Sequence, residues 1–413
     1  MDLAFISLLV PDELSEQVSH MEKIPMERVS SFIQAELIKG LMKCGNQVSV
    51  FNRLHIGSFP HQYKKLIIKK YNFSISTNEK CKGIGFINSE IFTRFFFFCF
   101  LGSSLKSWAS QSSKAPKAVL CYALTNYNLD VIKHVKKFDP TIKTSIIIPD
   151  LPEYMSFPSG RFTHDFLRRI YLSTISTKLR KTLPYIDRFF LFSEPMADYF
   201  DCRNRFTIIE GVSKEDIIKN IVISQSDDPS NRVLYYAGVL SEEYGIMNLI
   251  DAFEMIDNPQ YELILCGRGS AVQYVKDAAK RDPRIHYLGT VQYAKALSLM
   301  NSVDIVINPR IGYKYDFTKY SFPSKNMDTM SYGKPLIGYR LEGIPSEYDD
   351  YIIYVNGQGP IALKDAIVGA CSLSKEELKA FGNNARTFVL KNKNGYAQAT
   401  KIHQALNGAE DEK

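Results

Sequence analysis

The sequence predicts an α/β protein built from two doubly wound domains in tandem. Short apolar runs that suit buried strands alternate with longer segments of helical periodicity, which is typical of parallel sheets covered by helices on both faces. The 413 residues also exceed what one ordinary hydrophobic core organises. A polar stretch at 224–231 interrupts the alternation, and we expect it to link the two domains.

The first half, residues 1–226, is predicted to form one domain. Its apolar runs indicate strands at 4–10, 48–51, 118–122, 145–149, 188–192 and 207–209. Helical periodicity between them indicates helices at 30–42, 163–182 and 195–200.

The alternation starts again in the second half, and residues 231–395 are predicted to form the second domain. Strands are expected at 232–237, 261–266, 285–288, 303–308, 335–339 and 352–355. Helices are expected at 247–255, 271–280, 294–300 and 323–332, followed by a helical tail. The last segment, 396–413, is expected to be a helix that crosses back onto the first domain, followed by a polar end.

Composition indicates a folded protein of a reducing compartment. Hydrophobic residues make up 45% and charged residues 23% of the chain, as in average globular proteins, so disorder is not expected. The seven cysteines form no C-x-x-C pair, which argues against a disulfide framework or a zinc site. The first ten residues lack a basic region and a cleavage site, and we expect a cytoplasmic location.

The first half is basic, because residues 1–190 carry 26 Lys and Arg against 15 Asp and Glu. The run 91–101 is apolar nearly all round and too short to cross a bilayer, and the basic segment 64–71 lies nearby in sequence. These features suit either a core helix beside a solvated surface or peripheral contact with an anionic membrane at its inner face. No nucleic-acid-binding module is recognisable, so nucleic acid is not expected as a partner.

A candidate ligand site follows the strands of the second domain. Ligands of open parallel sheets bind beyond the carboxyl ends of the strands, where helix N-termini favour phosphate. Pro323 marks a helix N-terminus, and Arg310 and Lys325 place cations beside it. Ser324 and Asp328 share one face of that helix. The cations and backbone amides suit a diphosphate and the carboxylate suits two ribose hydroxyls, although an exposed Lys325–Asp328 ion pair is the simpler alternative.

Several of these segments resemble a known family. They are Asn308-Pro309-Arg310 and the stretches 317–325, 333–337 and 343–348, together with 236–238, 244–246 and 265–269. Over roughly 232–345 the chain resembles the donor-binding region of retaining, family 4-type bacterial glycosyltransferases. That resemblance implies the GT-B fold, in which two Rossmann-like domains face a cleft. It also implies an enzyme of cell-surface polysaccharide synthesis, such as capsule or exopolysaccharide, or of glycolipid synthesis.

The resemblance also implies substrates and residue roles. The donor would be a UDP- or GDP-type nucleotide sugar on the second domain, and the acceptor, a saccharide or a lipid-linked saccharide, would lie on the first. Asp150, Arg310 and Lys325 would carry the catalytic roles. The residues expected to contact the donor are Gly238, Tyr244, Gly267, Arg268, Tyr320, Ser321, Phe322, Pro323, Ser324 and Asp328. No cofactor or metal is expected, because the chain has no Asp-x-Asp motif and its histidines show no ligand spacing.

The chain departs from the family pattern at the positions that usually carry phosphate-binding cations. Val239 and Tyr244 stand where many relatives have arginine and lysine, and Tyr320 and Asp328 replace the two glutamates of the acidic motif. Pro149 stands where relatives often have histidine before the aspartate. Three hypotheses therefore stand: a retaining glycosyltransferase, a non-catalytic nucleotide-sugar-binding subunit of the same fold, and a nucleotide-sugar epimerase.

Overall fold

The computed structural model describes residues 1–24, 26, 28–89, 93–111, 115–154, 162–213 and 231–408. Contacts between residues divide the chain into two units. The first contains Met1–Phe192, Met196–Val212 and Gly395–Lys413, and the second contains Ser193–Pro195 and Ser213–Asn394. The expected linker at 224–231 lies, apart from Asn231, outside the described residues.

A mainly parallel sheet forms the centre of the first unit. The strands of this unit are β1 (Asp2–Leu9), β2 (Gln47–Leu54), β3 (Ile67–Ile68), β4 (Tyr71–Ile75), β5 (Asn78–Gly83), β6 (Phe86–Ile87), β7 (Lys117–Tyr122), β8 (Lys143–Ile148), β9 (Arg188–Leu191) and β10 (Phe206–Ile208). The sheet has the order β10-β9-β8-β7-β1-β2-β5-β4, and its pairs are parallel except β4 with β5. Separately, β3 pairs antiparallel with β6. The apolar run of β1 is explained by its buried position between β7 and β2.

Helices cover this sheet, and the last of them comes from the end of the chain. The α-helices of the first unit are Asp12–Met21, Val29–Lys43, Thr93–Ala109, Asn126–Phe138, Phe162–Arg180, Pro195–Tyr199 and Gly395–Asn407. Gly395–Asn407 packs against Val29–Lys43 at very short range, because a Cβ atom added to Gly40 would lie 2.3 Å from the carbonyl oxygen of Gly395. The small residues at this crossing let the two backbones approach.

The apolar segment predicted at 91–101 falls in the helix Thr93–Ala109, with residues 91 and 92 outside the described part of the chain. Phe97, Leu101, Leu105 and Trp108 are buried at helical spacing, so this face of the helix belongs to the core. Phe100 points away from that face and is 42% exposed. Among the described residues, no helix is both long and apolar enough to cross a bilayer.

The second unit contains a parallel sheet. Its strands are β11 (Arg232–Val239), β12 (Tyr261–Arg268), β13 (Ile285–Tyr287), β14 (Ile305–Asn308), β15 (Leu336–Gly338) and β16 (Ile353–Tyr354). They have the order β13-β12-β11-β14-β15-β16. The chain reverses its direction of travel across the sheet between β11 and β14, which are hydrogen-bonded neighbours. Their carboxyl ends therefore form a topological switch point, the usual ligand site of a doubly wound sheet.

Helices follow nearly every strand of this second sheet. They are Ile246–Glu254, Val272–Arg281, Tyr293–Ser302, Ser324–Ser331, Gly359–Cys371 and Lys375–Asn392. The predicted α/β class is confirmed, and most predicted strands and helices are present with bounds that differ by at most three residues. The prediction missed the helices Asp12–Met21 and Asn126–Phe138, although both are amphipathic, and it missed the β3–β6 and β4–β5 pairs, whose strands are short.

Candidate functional site

The candidate site lies where β11 and β14 end in the second unit. After β11 the chain forms the 3-10 turn Glu242–Tyr244 and then the helix Ile246–Glu254. After β14 it forms the 3-10 turn Asp316–Lys319 and then the helix Ser324–Ser331. Two loops and two helix N-termini thus meet at the switch point. The free backbone N–H groups of helix N-termini favour an anionic ligand there.

The two loops touch at Gly245. This residue has φ +75°, and a Cβ atom added to it would lie 1.8 Å from the carbonyl oxygen of Pro309. Both the left-handed backbone and the contact exclude a side chain at this position. Tyr244 and Arg310 flank the contact in sequence, so it brings these two residues together.

Lys325 places an ammonium group over the end of β11. Its Nζ atom lies 4.8 Å from the ring centroid of Tyr236. A Cβ atom added to Gly238 would lie only 1.5 Å from that Nζ, so the ammonium occupies the space that a side chain at Gly238 would need. Tyr236 is buried and donates a hydrogen bond to the carbonyl oxygen of Val239 at 2.8 Å. Burial raises the pKa of Tyr236 well above its usual value, so the ring beneath Lys325 is a neutral phenol.

Arg310 is held between aromatic rings. Its guanidinium carbon lies 4.9 Å from the ring centroid of Tyr244 and 5.2 Å from that of Phe317. One of its terminal nitrogens donates to Ser321 Oγ at 3.0 Å, and that hydroxyl donates in turn to the carbonyl oxygen of Phe317 at 3.2 Å. Cation–π contact and the hydrogen bond therefore fix the guanidinium without neutralising its charge.

Asp328 lies one turn along the helix that begins at Ser324, and it is half-buried. The hydroxyl of Tyr293, the first residue of the helix Tyr293–Ser302, donates to Asp328 Oδ2 at 3.1 Å. Burial, followed by the charge of Asp328, raises the pKa of the nearby Tyr332. A carboxylate bordered by two tyrosines is thus placed on the same helix as Lys325.

The other predicted donor residues of the second unit lie at this edge of the sheet with different surroundings. Gly267 lies against the end of β11, because an added Cβ would be 1.8 Å from the carbonyl oxygen of Gly238. Arg268 is exposed and makes no side-chain hydrogen bond or ion pair with a described residue. Phe322 is buried with its ring centroid 5.2 Å from that of Tyr348, so its side chain serves the core.

The start of the helix Ser324–Ser331 carries three further residues that were predicted to contact the donor. Tyr320, half-buried, ends the preceding 3-10 turn. Pro323 is buried and caps the helix, and Ser324 is exposed at its first position.

Asp150 belongs to the first unit, whereas the other predicted site residues belong to the second. It is exposed and comes two residues after β8, at the carboxyl end of that strand. Tyr122, at the end of the neighbouring β7, is buried, and its pKa is raised by that burial and secondarily by the charge of Asp150. Asp150 therefore lies at the ligand-binding edge that a doubly wound sheet predicts for this unit.

Sequence reasoning missed the aromatic residues of the site. Tyr236, Phe317 and Tyr293 contact Lys325, Arg310 and Asp328 respectively. Tyr236 and Phe317 fall in segments that carry the family resemblance, but no role was predicted for them, and Tyr293 was not singled out. The one available signal is the density of aromatic residues between 313 and 322. Within the described ranges, no group of three or more His, Cys, Asp or Glu is arranged to hold a metal ion.

Comparison with known proteins agrees with this architecture. Residues 231–372 match the family described as Glycosyl transferases group 1. No curated protein sequence matches the chain significantly. Similar solved structures include the lipopolysaccharide outer core galactosyltransferase WaaB in its apo form, with TM-score 0.61 and 14% identity over 99% of this chain and 100% of that one.

Two further solved structures are similar over nearly their whole length. Sucrose-phosphate synthase from Thermosynechococcus elongatus has TM-score 0.59 and 16% identity, covering 98% of each chain. HepE from Anabaena in complex with UDP and glucose has TM-score 0.57 and 13% identity, covering 99% of this chain and 100% of that one. These likenesses show the GT-B fold of two Rossmann-like domains, and the family match supports a glycosyltransferase.

The contact at Gly245 generates a prediction about stability. Gly359 has nearly the same backbone angle, φ +78°, but nothing lies within 4 Å of an added Cβ. We expect Gly359→Ala to lower the free energy of unfolding by about 1–2 kcal/mol, the cost of a left-handed alanine. Gly245→Ala should cost about 1–3 kcal/mol more because the loop at Pro309 must move. Urea unfolding of both variants measures the difference. An equal decrease in the free energy of unfolding would show that the Gly245–Pro309 contact does not contribute to stability.

Proposed function

We propose that the chain is a retaining glycosyltransferase whose second unit binds a nucleotide-sugar donor of the UDP or GDP type. The observation that carries this proposal is the placement of Arg310 and Lys325 at the switch point, with Asp328 on the same helix as Lys325. Two cations suit the two phosphates of a nucleoside diphosphate, and a carboxylate one turn away suits the hydroxyls of ribose. Supporting this, HepE, a protein of similar fold, was solved with UDP bound.

Arg310 and Lys325 supply positive charge that the uncharged side chains of Val239 and Tyr244 cannot. Relatives often carry cations at these two positions, and this chain does not. Here Lys325 Nζ lies directly over Gly238, next to Val239, and the guanidinium of Arg310 lies on the ring of Tyr244. The positive charge is therefore supplied from the loop and helix that follow β14. Tyr244 acts in this proposal as the support for Arg310.

The proposed reaction breaks the bond between the anomeric carbon and the diphosphate oxygen. Arg310 and Lys325 stabilise the negative charge that develops on the diphosphate, which is the task of a preorganised electrostatic site. The acceptor hydroxyl attacks the anomeric carbon from the face that the diphosphate leaves, and its proton passes to a phosphate oxygen. The products are the glycosylated acceptor, with retained configuration, and the nucleoside diphosphate. No metal ion is needed for this step in the proposal.

We propose that the first unit binds the acceptor and that Asp150 has a catalytic role. The proposed acceptor is a saccharide or a lipid-linked saccharide, and the basic first half of the chain suits an anionic lipid carrier. WaaB, a protein of similar fold, acts by its name on the outer core of lipopolysaccharide. We therefore place the activity in cell-surface polysaccharide or glycolipid synthesis.

The cation assignment predicts how nucleotide affinity changes in variants. Arg310→Ala and Lys325→Ala are each expected to weaken nucleoside diphosphate binding about 10- to 100-fold, since a charged hydrogen bond contributes about 1.5–3 kcal/mol. Binding of the nucleoside should change little. Lys314→Ala is the matched control, because Lys314 lies in the same loop but forms an exposed ion pair with Glu242. Calorimetry measures the affinities, and equal losses in all three variants would contradict the assignment.

Transfer itself separates an enzyme from a non-catalytic binding subunit of the same fold. With the nucleotide sugar whose base binds best, we expect the wild-type protein to glycosylate a saccharide acceptor in the presence of EDTA. The new linkage should keep the anomeric configuration of the donor, as read by NMR. Nucleotide binding without transfer to any acceptor tested would favour the binding subunit, and isomerised donor without transfer would favour the epimerase.

A surface of the first unit also suits an anionic membrane, and we include peripheral binding in the proposal. Ile67 and Leu66 are 65% and 40% exposed, and Phe100 is 42% exposed. Lys70 Nζ lies 5.3 Å from the ring centroid of Phe100. The segment 64–71 and the helix Thr93–Ala109 therefore form one surface. Lys64, Lys65 and Lys69 on the same segment are also exposed. Exposed apolar residues among lysines match an interface with anionic headgroups.

This surface predicts binding to vesicles of mixed neutral and anionic phospholipid. Each lysine near such a surface contributes about 1 kcal/mol, so the double variant Lys69→Ala, Lys70→Ala should partition about 30-fold more weakly. The control is the double variant Lys276→Ala, Lys379→Ala, which changes the net charge equally on exposed helices of the second unit. Sedimentation with the vesicles measures partition. Equal losses in both double variants would refute the assigned surface.

A further inference from the structure

Tyr293 and Asp328 form a pair that joins two separate βα segments of the second unit. Tyr293 begins the helix that follows β13, whereas Asp328 lies in the helix that follows β14. The phenol hydroxyl donates to Asp328 Oδ2 at 3.1 Å across a sequence separation of 35 residues. The Tyr293 side chain is not part of the core, because the residue is 50% exposed. Core packing therefore does not explain the position of this hydroxyl.

The hydroxyl of Tyr293 adds a hydrogen-bond acceptor beyond the carboxylate of Asp328. A phenol that donates its one proton to a carboxylate keeps lone pairs on its own oxygen, which can accept a hydrogen bond. The phenol oxygen lies 3.1 Å from the carboxylate oxygen, so the pair presents acceptors at two separated points. Two adjacent hydroxyl groups of a sugar ring offer donors at a similar spacing.

We infer that Tyr293 and Asp328 together recognise the ribose of the donor, with Tyr293 replacing the reach that aspartate lacks relative to glutamate. This inference rests on the proposed nucleotide-sugar function. One ribose hydroxyl donates to Asp328 and the other to the phenol oxygen of Tyr293. Tyr293 has a second effect, because its hydrogen bond fixes the orientation of the Asp328 carboxylate. It is thus a specificity-determining residue for ribose against deoxyribose.

The test compares nucleotides that differ in one hydroxyl. Affinities of UDP and GDP are measured by calorimetry, and the base that binds is then tested as its 2′-deoxy and 3′-deoxy diphosphates. Wild type should prefer the ribonucleotide over both. Tyr293→Phe should reduce at least one of these two preferences about fivefold, the equivalent of one hydrogen bond of about 1 kcal/mol. The melting temperature without ligand should fall by no more than the few degrees that the loss of one hydrogen bond costs, which separates recognition from unfolding.

A matched control variant and a compensating second substitution test whether the effect is specific to the Tyr293–Asp328 pair. Tyr274 donates to Asp251 in the same unit, so Tyr274→Phe also removes a bond between a tyrosine and an aspartate. Its ribose preference should equal that of wild type. Adding Asp328→Glu to Tyr293→Phe should restore the preference, because the added methylene supplies the missing reach.

The outcomes separate the two proposals. If neither UDP nor GDP binds to the folded wild-type protein, the proposed function fails and this inference fails with it. If a nucleotide binds but Tyr293→Phe keeps both wild-type preferences, the nucleotide site stands and the inference is overturned. An equal loss in Tyr274→Phe, or no recovery in the double variant, also overturns it.

Discussion

The candidate site depends on the contact between two backbone loops at Gly245 and Pro309. Neighbouring strands β11 and β14 send their chains out of the sheet at the same place, so the two loops must share a narrow space. A glycine with a left-handed backbone makes this possible, and an added Cβ would overlap the Pro309 carbonyl. Because Tyr244 precedes the glycine and Arg310 follows the proline, the contact places the guanidinium on the aromatic ring. The position of this charge is thus set by backbone geometry.

The same edge holds two cations although its sequence departs from the pattern that it resembles. Val239 and Tyr244 carry no charge, and the cations come instead from Arg310 and Lys325. Each cation lies on an aromatic ring, whose π face attracts positive charge. The ammonium group of Lys325 also fills the space that a side chain at Gly238 would occupy. The cations therefore come from the segment that follows β14, and the glycines that leave room for them, Gly238 and Gly245, come from the end of β11 and the loop after it.

Much of this architecture follows from local sequence, but the contacts within the site do not. Buried parallel strands read as apolar runs, and Pro323 marks a helix start, so the fold and the loop with Arg310 were predictable. The contact of Tyr293 with Asp328 joins residues from different βα segments, and no local pattern encodes such a pair. Likewise, the burial of Phe322 against Tyr348 appears only once the fold is formed. Short strands such as β3 and β6 were missed because two residues have no measurable period.

The first unit is discontinuous in sequence, since the helix Gly395–Asn407 packs on Val29–Lys43 with glycine at the crossing. Residues Ala399, Ile402 and Leu406 of that helix are part of the core that also contains β1 and β2. A ribosome releases these residues after it has made the whole second unit. The first core to be translated is therefore the last to be completed, and until then its helix-binding surface stays exposed. A cut after the second unit would yield two fragments, neither of which carries a complete first core.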